Sequence, residues 1–560
     1  MHASLQSAAL VGAAAAAVEV QVDLSLGLPG FFLVGLPDAA CIEAKVRCGT
    51  ALRNAGFALP QKRATINLAP SDLRKEGAAF DLPIALGLLA AAGQLRPELL
   101  EGTLAVGELS LAGDVLPIRG ALPVALLARS LGLKRLLVPE ANAREAALAV
   151  GAPVLGVSSL RDAVRALEEA RAPQRFEEPG DAHDELHAPG RSLDLADVRG
   201  QQTCKRALEV AAAGGHNLLF IGPPGSGKTM LARRLAGILP PLSFDEAVEA
   251  TSIWSVAGKL PAQGLLRERP LRAPHHSISV AGLVGGGAPP RPGEISLAHQ
   301  GALLLDELPE FSRSALEALR QPMEDGVLTV VRARGAVTLP ARCMVVATMN
   351  PCPCGRANDP DPTRCRCGPL LRSRYRARIS GPILDRFDLH IEAPALGPRD
   401  LMGPLDGEPS ASVRARVVAA REVQAARLAR LRLPDAAALR CNAQLHGRIL
   451  RELCNADEEA RAMIAQAIQG LGLSARAHDR ILKISRTLAD LAGDARVEKR
   501  HVGEAVQLRC LDRPFDPEAR GPELPPETSP SRAPRPAAAP PTLEQTGSRE
   551  HPRSTHRRIQ

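Results

Sequence analysis

Eight consecutive residues, Gly222, Pro223, Pro224, Gly225, Ser226, Gly227, Lys228 and Thr229, carry the chemistry of phosphate binding. They fit the pattern G-x-x-x-x-G-K-[ST]. Glycines let backbone N–H groups wrap a β-phosphate. The lysine reaches the β and γ oxygens, and the threonine hydroxyl ligates Mg²⁺. Such a loop works only between a strand and the N-terminus of a helix. Asn217–Ile221 reads as a short apolar strand and Met230–Leu239 as a helix that aims its dipole at the phosphate. The octapeptide predicts that the chain binds a nucleoside triphosphate with Mg²⁺.

Two further strand ends complete the chemistry. Ala302–Leu305 is an apolar run followed by Asp306 and Glu307. Buried parallel strands read as continuous apolar runs, and ligands sit at their carboxyl ends. Asp306 is expected to hold Mg²⁺ through water, and Glu307 to orient and deprotonate the attacking water. The strand Cys343–Met349 ends at Asn350. A polar residue there could hold the lytic water or sense the γ-phosphate; an Asn-Pro turn would favour the same residue.

Just beyond, Cys352-Pro-Cys354 and Cys365-Arg-Cys367 are separated by ten residues. Four thiolates could make a tetrahedral Zn²⁺ site, although Cys-x₂-Cys is the usual spacing. A structural metal would order the loop between them. Free thiols are the competing reading.

The elements that must position these groups follow from the rest of the chain. With 560 residues, three or four domains are expected. Residues 1–170 alternate short strands (Val18–Leu24, Thr65–Leu68, Thr103–Val106, Arg135–Val138) with helices (Asp38–Asn54, Leu82–Ala92, Leu122–Ser130). Residues 171–192 are polar with Pro and Gly and read as a linker. A second α/β unit spans 193–395, and helical periodicity dominates 396–511. Residues 512–560 are Pro-, Ala-, Ser- and Arg-rich and read as a disordered tail. The fold class is α/β with a C-terminal helical bundle.

Composition limits the partners. A net charge of +8 suits a polyanion, or reflects an arginine-rich composition without such meaning. Aromatic content of 2% argues against base-stacking platforms. No segment approaches ~18 apolar residues, so no membrane span is expected. Ala8–Val18 is apolar, but no Lys or Arg precedes it, against a signal peptide. Eleven unevenly placed cysteines suit a reducing cytoplasm better than a disulfide framework.

Asp197–Gln201, the phosphate loop, Leu305–Glu307, Ala347–Asn350 and Leu384–Asp388 together resemble an AAA+ ATPase. Arg272–Ser277, Pro290–His299 and Gly301–Phe311 resemble the magnesium-chelatase-like group called YifB or ComM. The likeness covers nearly all of 1–510. It implies that the triphosphate is ATP, that Asn350 is sensor 1 and that Arg386 is an arginine finger acting on a neighbouring subunit's ATP. A bland alternative pairs Arg386 with Asp385 or Asp388. Arg476 is the implied sensor 2, with Arg480 as its rival. A finger in trans implies a ring, by resemblance a homo-hexamer.

Lys228 and Asp306 lie 78 positions apart, more than a strand–helix–strand unit needs. The resemblance implies that the excess, with the Gly-rich run Ala281–Gly287 and Pro289–Pro292, is an insert projecting into the ring pore. Val327–Leu339 reads as a hairpin turning at Arg334-Gly335. In related motors such a hairpin grips DNA, and Arg332 and Arg334 fit that role; arginines at hairpin tips are otherwise merely solvated.

Glu76–Ala85 and Val106–Gly120 resemble the proteolytic domain of Lon, with a ribosomal S5 domain 2-like fold. The positions matching its serine and lysine are Ala79 and Leu122, which offer neither nucleophile nor base. A peptidase fold without peptidase activity is implied; a dyad relocated to the nearby Ser71 and Lys75 is the far weaker alternative. The resemblance to ComM implies a DNA branch-migration motor in recombination of incoming DNA during natural transformation. A chelatase-like or protein-remodelling ATPase is the alternative, and an ATP-dependent protease a weaker one.

Overall fold

The computed structural model describes residues 2–174, 193–261, 264–287, 290–332, 335–357, 362–397, 402, 407–431 and 439–512. Most of the expected linker and all but the first residue of the expected tail lie outside them.

The N-terminal portion is a seven-stranded mixed sheet. The expected strands and helices are present: Arg63–Ala69, Thr103–Ala105 and Arg135–Pro139, with helices Ala39–Asn54, Asp81–Ala91 and Ala121–Ser130, have ends moved by a residue or two, whereas the first strand, Ala14–Ser25, begins four residues before its expected start at Val18. The apolar N-terminal run is structural. His2–Val11 pairs antiparallel with Ala14–Ser25 from His2↔Asp23 to Val11↔Ala14. Alanine-rich runs are poor strand formers by propensity. The long antiparallel pairing and the core beneath it override that preference.

This portion packs onto the second α/β unit at identifiable points. Ser255 donates to the Glu145 carboxylate. The turn at Gly12 abuts the hairpin, where an added Cβ would lie 2.8 Å from the Thr338 carbonyl oxygen.

The second unit is a five-stranded sheet of parallel strands in the order Leu271–Arg272, Ala302–Leu305, Met344–Met349, Leu218–Ile221, Leu389–Glu392. The phosphate-loop strand, the Asp-Glu strand and the sensor strand are fully buried. Burial on both faces is why each is a near-continuous apolar run rather than alternating, with Thr348 of the sensor strand the polar exception. Their register sets the site: Ile221 pairs with Met349, whereas Leu305 pairs with Ala347, so the Asp-Glu strand ends two residues before the sensor strand and Asp306 comes level with Thr348.

Helices Ser410–Arg430, Gly447–Leu453, Glu458–Leu471, Ala475–Ala492 and Lys499–Gln507 form the C-terminal bundle. Its core is continuous with one face of the sheet through Val417, Ile484 and Leu488 beside Leu218 and Phe220.

The Gly-rich insert forms a short helix, Val280–Val284, and a bridge between Gly285–Gly286 and Arg291–Pro292. Val327–Arg332 and Gly335–Pro340 form the expected hairpin. Gly335 pairs with Arg332, so it belongs to the second strand rather than to the turn. Arg334 and the side chain of Arg332 lie outside the described residues.

Candidate functional site: a phosphate loop and an arginine-lined cavity at opposite ends of one sheet

The phosphate loop leaves the strand Leu218–Ile221 and enters the helix Lys228–Ile238. Gly227, the cap of that helix, has φ +84°, a left-handed conformation that glycine adopts without strain. Gly222 N–H donates to the Met349 carbonyl at 3.2 Å, tying the loop to the sensor strand. Gln201 bridges behind it, donating to the carbonyls of Ser226 at 3.1 Å and Pro394 at 2.8 Å.

The expected site residues converge here. Lys228 Nζ donates to the carbonyls of Gly222 at 2.8 Å and Pro223 at 2.7 Å, and to Asn350 Oδ1 at 3.3 Å. Burial lowers its pKa, opposed by the charges of Asp306 and Glu307. Thr229 Oγ1 donates to Asp306 Oδ1 at 2.8 Å. A hydroxyl and a carboxylate oxygen set side by side beneath a phosphate loop suit Mg²⁺, a hard cation that takes few protein ligands and keeps waters. Thr229 and Asp306 are the residues that would hold it.

Glu307 follows with φ +56° and ψ +53°, an uncommon conformation for a residue with a Cβ. Thr348 over-determines it. Its Oγ1 accepts from the Glu307 N–H at 3.1 Å and donates to Asp306 Oδ1 at 2.5 Å. Thr348 was not singled out from the sequence, although it lies within Ala347–Asn350. Its role becomes visible only when the register sets it beside the Asp-Glu step.

A second group had also been missed. His276 Nδ1 lies 4.0 Å from Glu307 Oε2, and its ring packs edge-on to Phe311. Arg272 and Glu294, from two of the distinctive stretches, pair through both carboxylate oxygens at 2.6 and 3.0 Å. The Tyr375 hydroxyl, pushed up to about 12 by burial and the charge of Glu310, also bonds the Asn350 backbone.

Arg386 lies elsewhere. The strand Leu218–Ile221 carries the phosphate loop at its carboxyl end. At its other end Asn217 Nδ2 donates to the Arg386 carbonyl at 3.0 Å. The guanidinium donates to the carbonyls of Arg320 at 3.1 Å and Pro382 at 2.7 Å, and pairs with Glu324.

The suggested pairing with Asp385 or Asp388 is therefore corrected: the acidic partner is Glu324. Asp388 is engaged by His216 at 3.1 Å and Arg480 at 3.2 Å. Burial pushes its pKa up, but the His216 hydrogen bond and the charges of His216, Lys483 and Arg480 outweigh this and hold it well below the usual carboxylate range.

A cavity of about 790 Å³ opens at this end, lined by Arg386, Arg476, Arg480 and Lys483 together with Glu324 and Asp388. Arg480 is committed to Asp388, whereas Arg476 is exposed. The three sequence-expected arginines thus meet one another, and none joins the phosphate loop.

Cys352, Cys354, Cys365 and Cys367 form one cluster with all four Sγ atoms within 4.8 Å of one another. Ala79 is half-buried and Leu122 fully buried. Lys75 is buried and donates to the Pro70 carbonyl, while Ser71 is exposed. Among the described residues no helix is long and apolar enough to cross a membrane.

Comparison with known proteins agrees with this layout. The family model for magnesium chelatase subunit ChlI matches residues 194–401, a second ChlI model matches 20–142, and a ChlI C-terminal model matches 407–509. Competence protein ComM of Haemophilus influenzae is 44% identical over 514 residues, covering 91% of this chain and 98% of that one. The chain belongs to the YifB/ComM family of magnesium-chelatase-like proteins. YifB of Escherichia coli is 44% identical over 508 residues, covering 90% and 96%. DNA replication licensing factor Mcm2 of Drosophila melanogaster is 25% identical over 206 residues, 34% of this chain and 20% of that one. Family membership and the site together support an ATPase that uses ATP and Mg²⁺.

Proposed function

We propose that the chain is one subunit of a homo-hexameric AAA+ ring that hydrolyses ATP and moves along DNA, as a branch-migration helicase acting on incoming DNA in natural transformation. The observation that carries the ring is the position of Arg386. It lies at the end of the phosphate-loop strand opposite its own phosphate loop. A finger placed there serves only the nucleotide of another subunit. Arg476, in the same cavity, acts beside it.

The steps assigned to this chain are limited and physical. Lys228 and the loop N–H groups bind the β- and γ-phosphates. Thr229 and Asp306 hold Mg²⁺, which when bound neutralises charge on the phosphate oxygens. Glu307, fixed by Thr348, takes the proton of the attacking water, and Asn350 positions that water. Arg386 from the adjacent subunit offsets charge that develops on the γ-phosphoryl group.

DNA as the track is supported by the basic charge, the hairpin carrying Arg332 and Arg334, the Mcm2 likeness and the name of the ComM relative. The N-terminal domain is read as a Lon-like fold without peptidase activity. The protein is read as cytoplasmic. The test is ATP turnover with single-stranded, forked and four-way-junction DNA, for the native chain and for Arg332→Ala/Arg334→Ala. Stimulation by branched DNA that the double variant lacks, with junction dissolution, is expected. Equal turnover with and without every DNA would leave a protein-remodelling or chelatase-like ATPase as the better reading.

A further inference from the structure

We propose that Cys352, Cys354, Cys365 and Cys367 bind one zinc ion, and that this site braces the phosphate loop so that metal occupancy sets nucleotide affinity. The sulfur positions come first. Cys352 Sγ lies 3.4 Å from Cys354 Sγ and 3.8 Å from Cys365 Sγ, and Cys354 and Cys365 are 3.6 Å apart. Zn–S bonds of ~2.3 Å at tetrahedral angles place sulfurs about 3.8 Å apart. A disulfide needs about 2.0 Å. All eleven cysteines are free thiols, and only these four converge among the described residues. Cys352 and Cys367 are buried, while Cys354 is exposed, so the site is anchored in the fold and open to entry from one side.

The location gives the site its consequence. Cys352 follows Asn350 by two residues, and Asn350 accepts from the phosphate-loop Lys228. Between the two members of the first pair and the rest of the loop sits Gly355, at φ +76°. A Cβ there would lie 2.7 Å from Pro224 Cγ and 3.5 Å from Pro224 N. The cysteine loop therefore lies directly against the phosphate loop at its proline, in a contact that leaves no space for a side chain.

The second pair is tied to the same region from the other side. Cys367 leads through Gly368 into the helix Pro369–Arg376, whose Arg372 returns a hydrogen bond to the Cys367 carbonyl at 3.0 Å. Tyr375 of that helix bonds the Asn350 backbone. One tetrahedral ion thus links the end of the sensor strand, the support of Pro224 and the helix that carries Tyr375. Four thiols lose their protons as the ion binds, and no electron transfer is involved.

The nucleotide part of the proposal rests on the phosphate-loop reading, whereas the metal site does not. The experiment uses the full chain. Zinc is counted by elemental analysis, and affinity for a fluorescent ADP analogue is measured on the same samples. About one zinc per chain is expected, and replacement by Co²⁺ should give the visible bands of tetrahedral cobalt thiolate. Removing zinc with a chelator should weaken nucleotide binding by about tenfold or more, reversibly on zinc return. Cys354→Ser/Cys365→Ser should lose both zinc and affinity. Gly355→Val should keep the zinc and lose affinity, which separates the contact from general unfolding. Lys228→Ala should keep the zinc and bind no nucleotide.

Native protein with four titratable thiols and no metal would overturn the site. Reversible zinc loss with unchanged nucleotide affinity would overturn the bracing. Zinc-loaded native protein that binds no nucleotide would overturn the phosphate-loop reading and the bracing with it, while the metal site would stand.

Discussion

Asn217 and Arg386 are joined by a 3.0 Å hydrogen bond at the amino end of the strand whose carboxyl end becomes the phosphate loop. Arg386 and the phosphate loop of one chain therefore lie at opposite ends of the same strand. Mixing two inactive variants tests this relationship. Arg386→Ala keeps an intact phosphate site, and Lys228→Ala keeps an intact finger. Each alone should lose about 10³-fold or more in turnover. Mixed together they should regain activity, because a finger from one subunit meets the phosphate site of the other. A mixture as dead as its parts would put Arg386 outside catalysis in trans.

Thr348 is expected to matter as much as the residues it holds. Thr348→Val keeps the shape but removes the donor to Asp306 and the acceptor for the Glu307 N–H. Two such bonds, one to a charged group, are worth about 1–3 kcal/mol each. Turnover should fall by about 10- to 100-fold and the Mg²⁺ requirement should rise, with the melting temperature little changed. Thr348→Ser should recover most of the loss. Steady-state rates across a Mg²⁺ titration read the outcome.

In the bundle, Arg486 and Asp490 are fully buried and bonded, and Asp490 also takes a bidentate Arg427 at 2.6 and 2.7 Å. Asp490→Asn leaves two guanidinium groups short of a charge. Breaking such a buried pair costs about 3–5 kcal/mol. Urea unfolding followed by circular dichroism should show that loss. Arg448→Ala, which removes only an exposed pair with Glu452, should show almost none.

Acid should weaken the fold through His390. Burial and the nearby Arg509 charge lower its pKa from 6.5 to about 3. The folded state therefore holds this ring neutral, while the unfolded chain protonates it below about 6.5. Its contribution is complete above 6.5 and is lost as pH falls from there toward 3. Stability measured from pH 8 to 5 should decline at the acid end. His390→Asn should flatten that part of the profile.

Chain chemistry alone determined much of this protein. The phosphate loop, the Asp306–Glu307 step and Asn350 were legible because each terminates an apolar run. A strand buried on both faces can be built only from such runs, and its end is where polar groups emerge. The cysteine spacing made a metal conceivable, and the hairpin was legible from two strand-forming runs flanking the Arg334-Gly335 step.

Tertiary structure decided the rest. Thr348 is one residue among many until parallel register places its hydroxyl beside Asp306 and the Glu307 N–H. Arg386 carries a charge that could pair with any of several acids; folding gave Asp388 to His216 and Arg480 and left Glu324 for Arg386. The N-terminal strand His2–Val11 went unread because alanine contributes little local preference, and its partner strand supplied the pairing. Local sequence fixes what a residue can do by its own chemistry. Which groups meet is set by contacts between segments separated in sequence by 42 residues for Thr348 and Asp306 and by 172 for His216 and Asp388, and no local pattern records them.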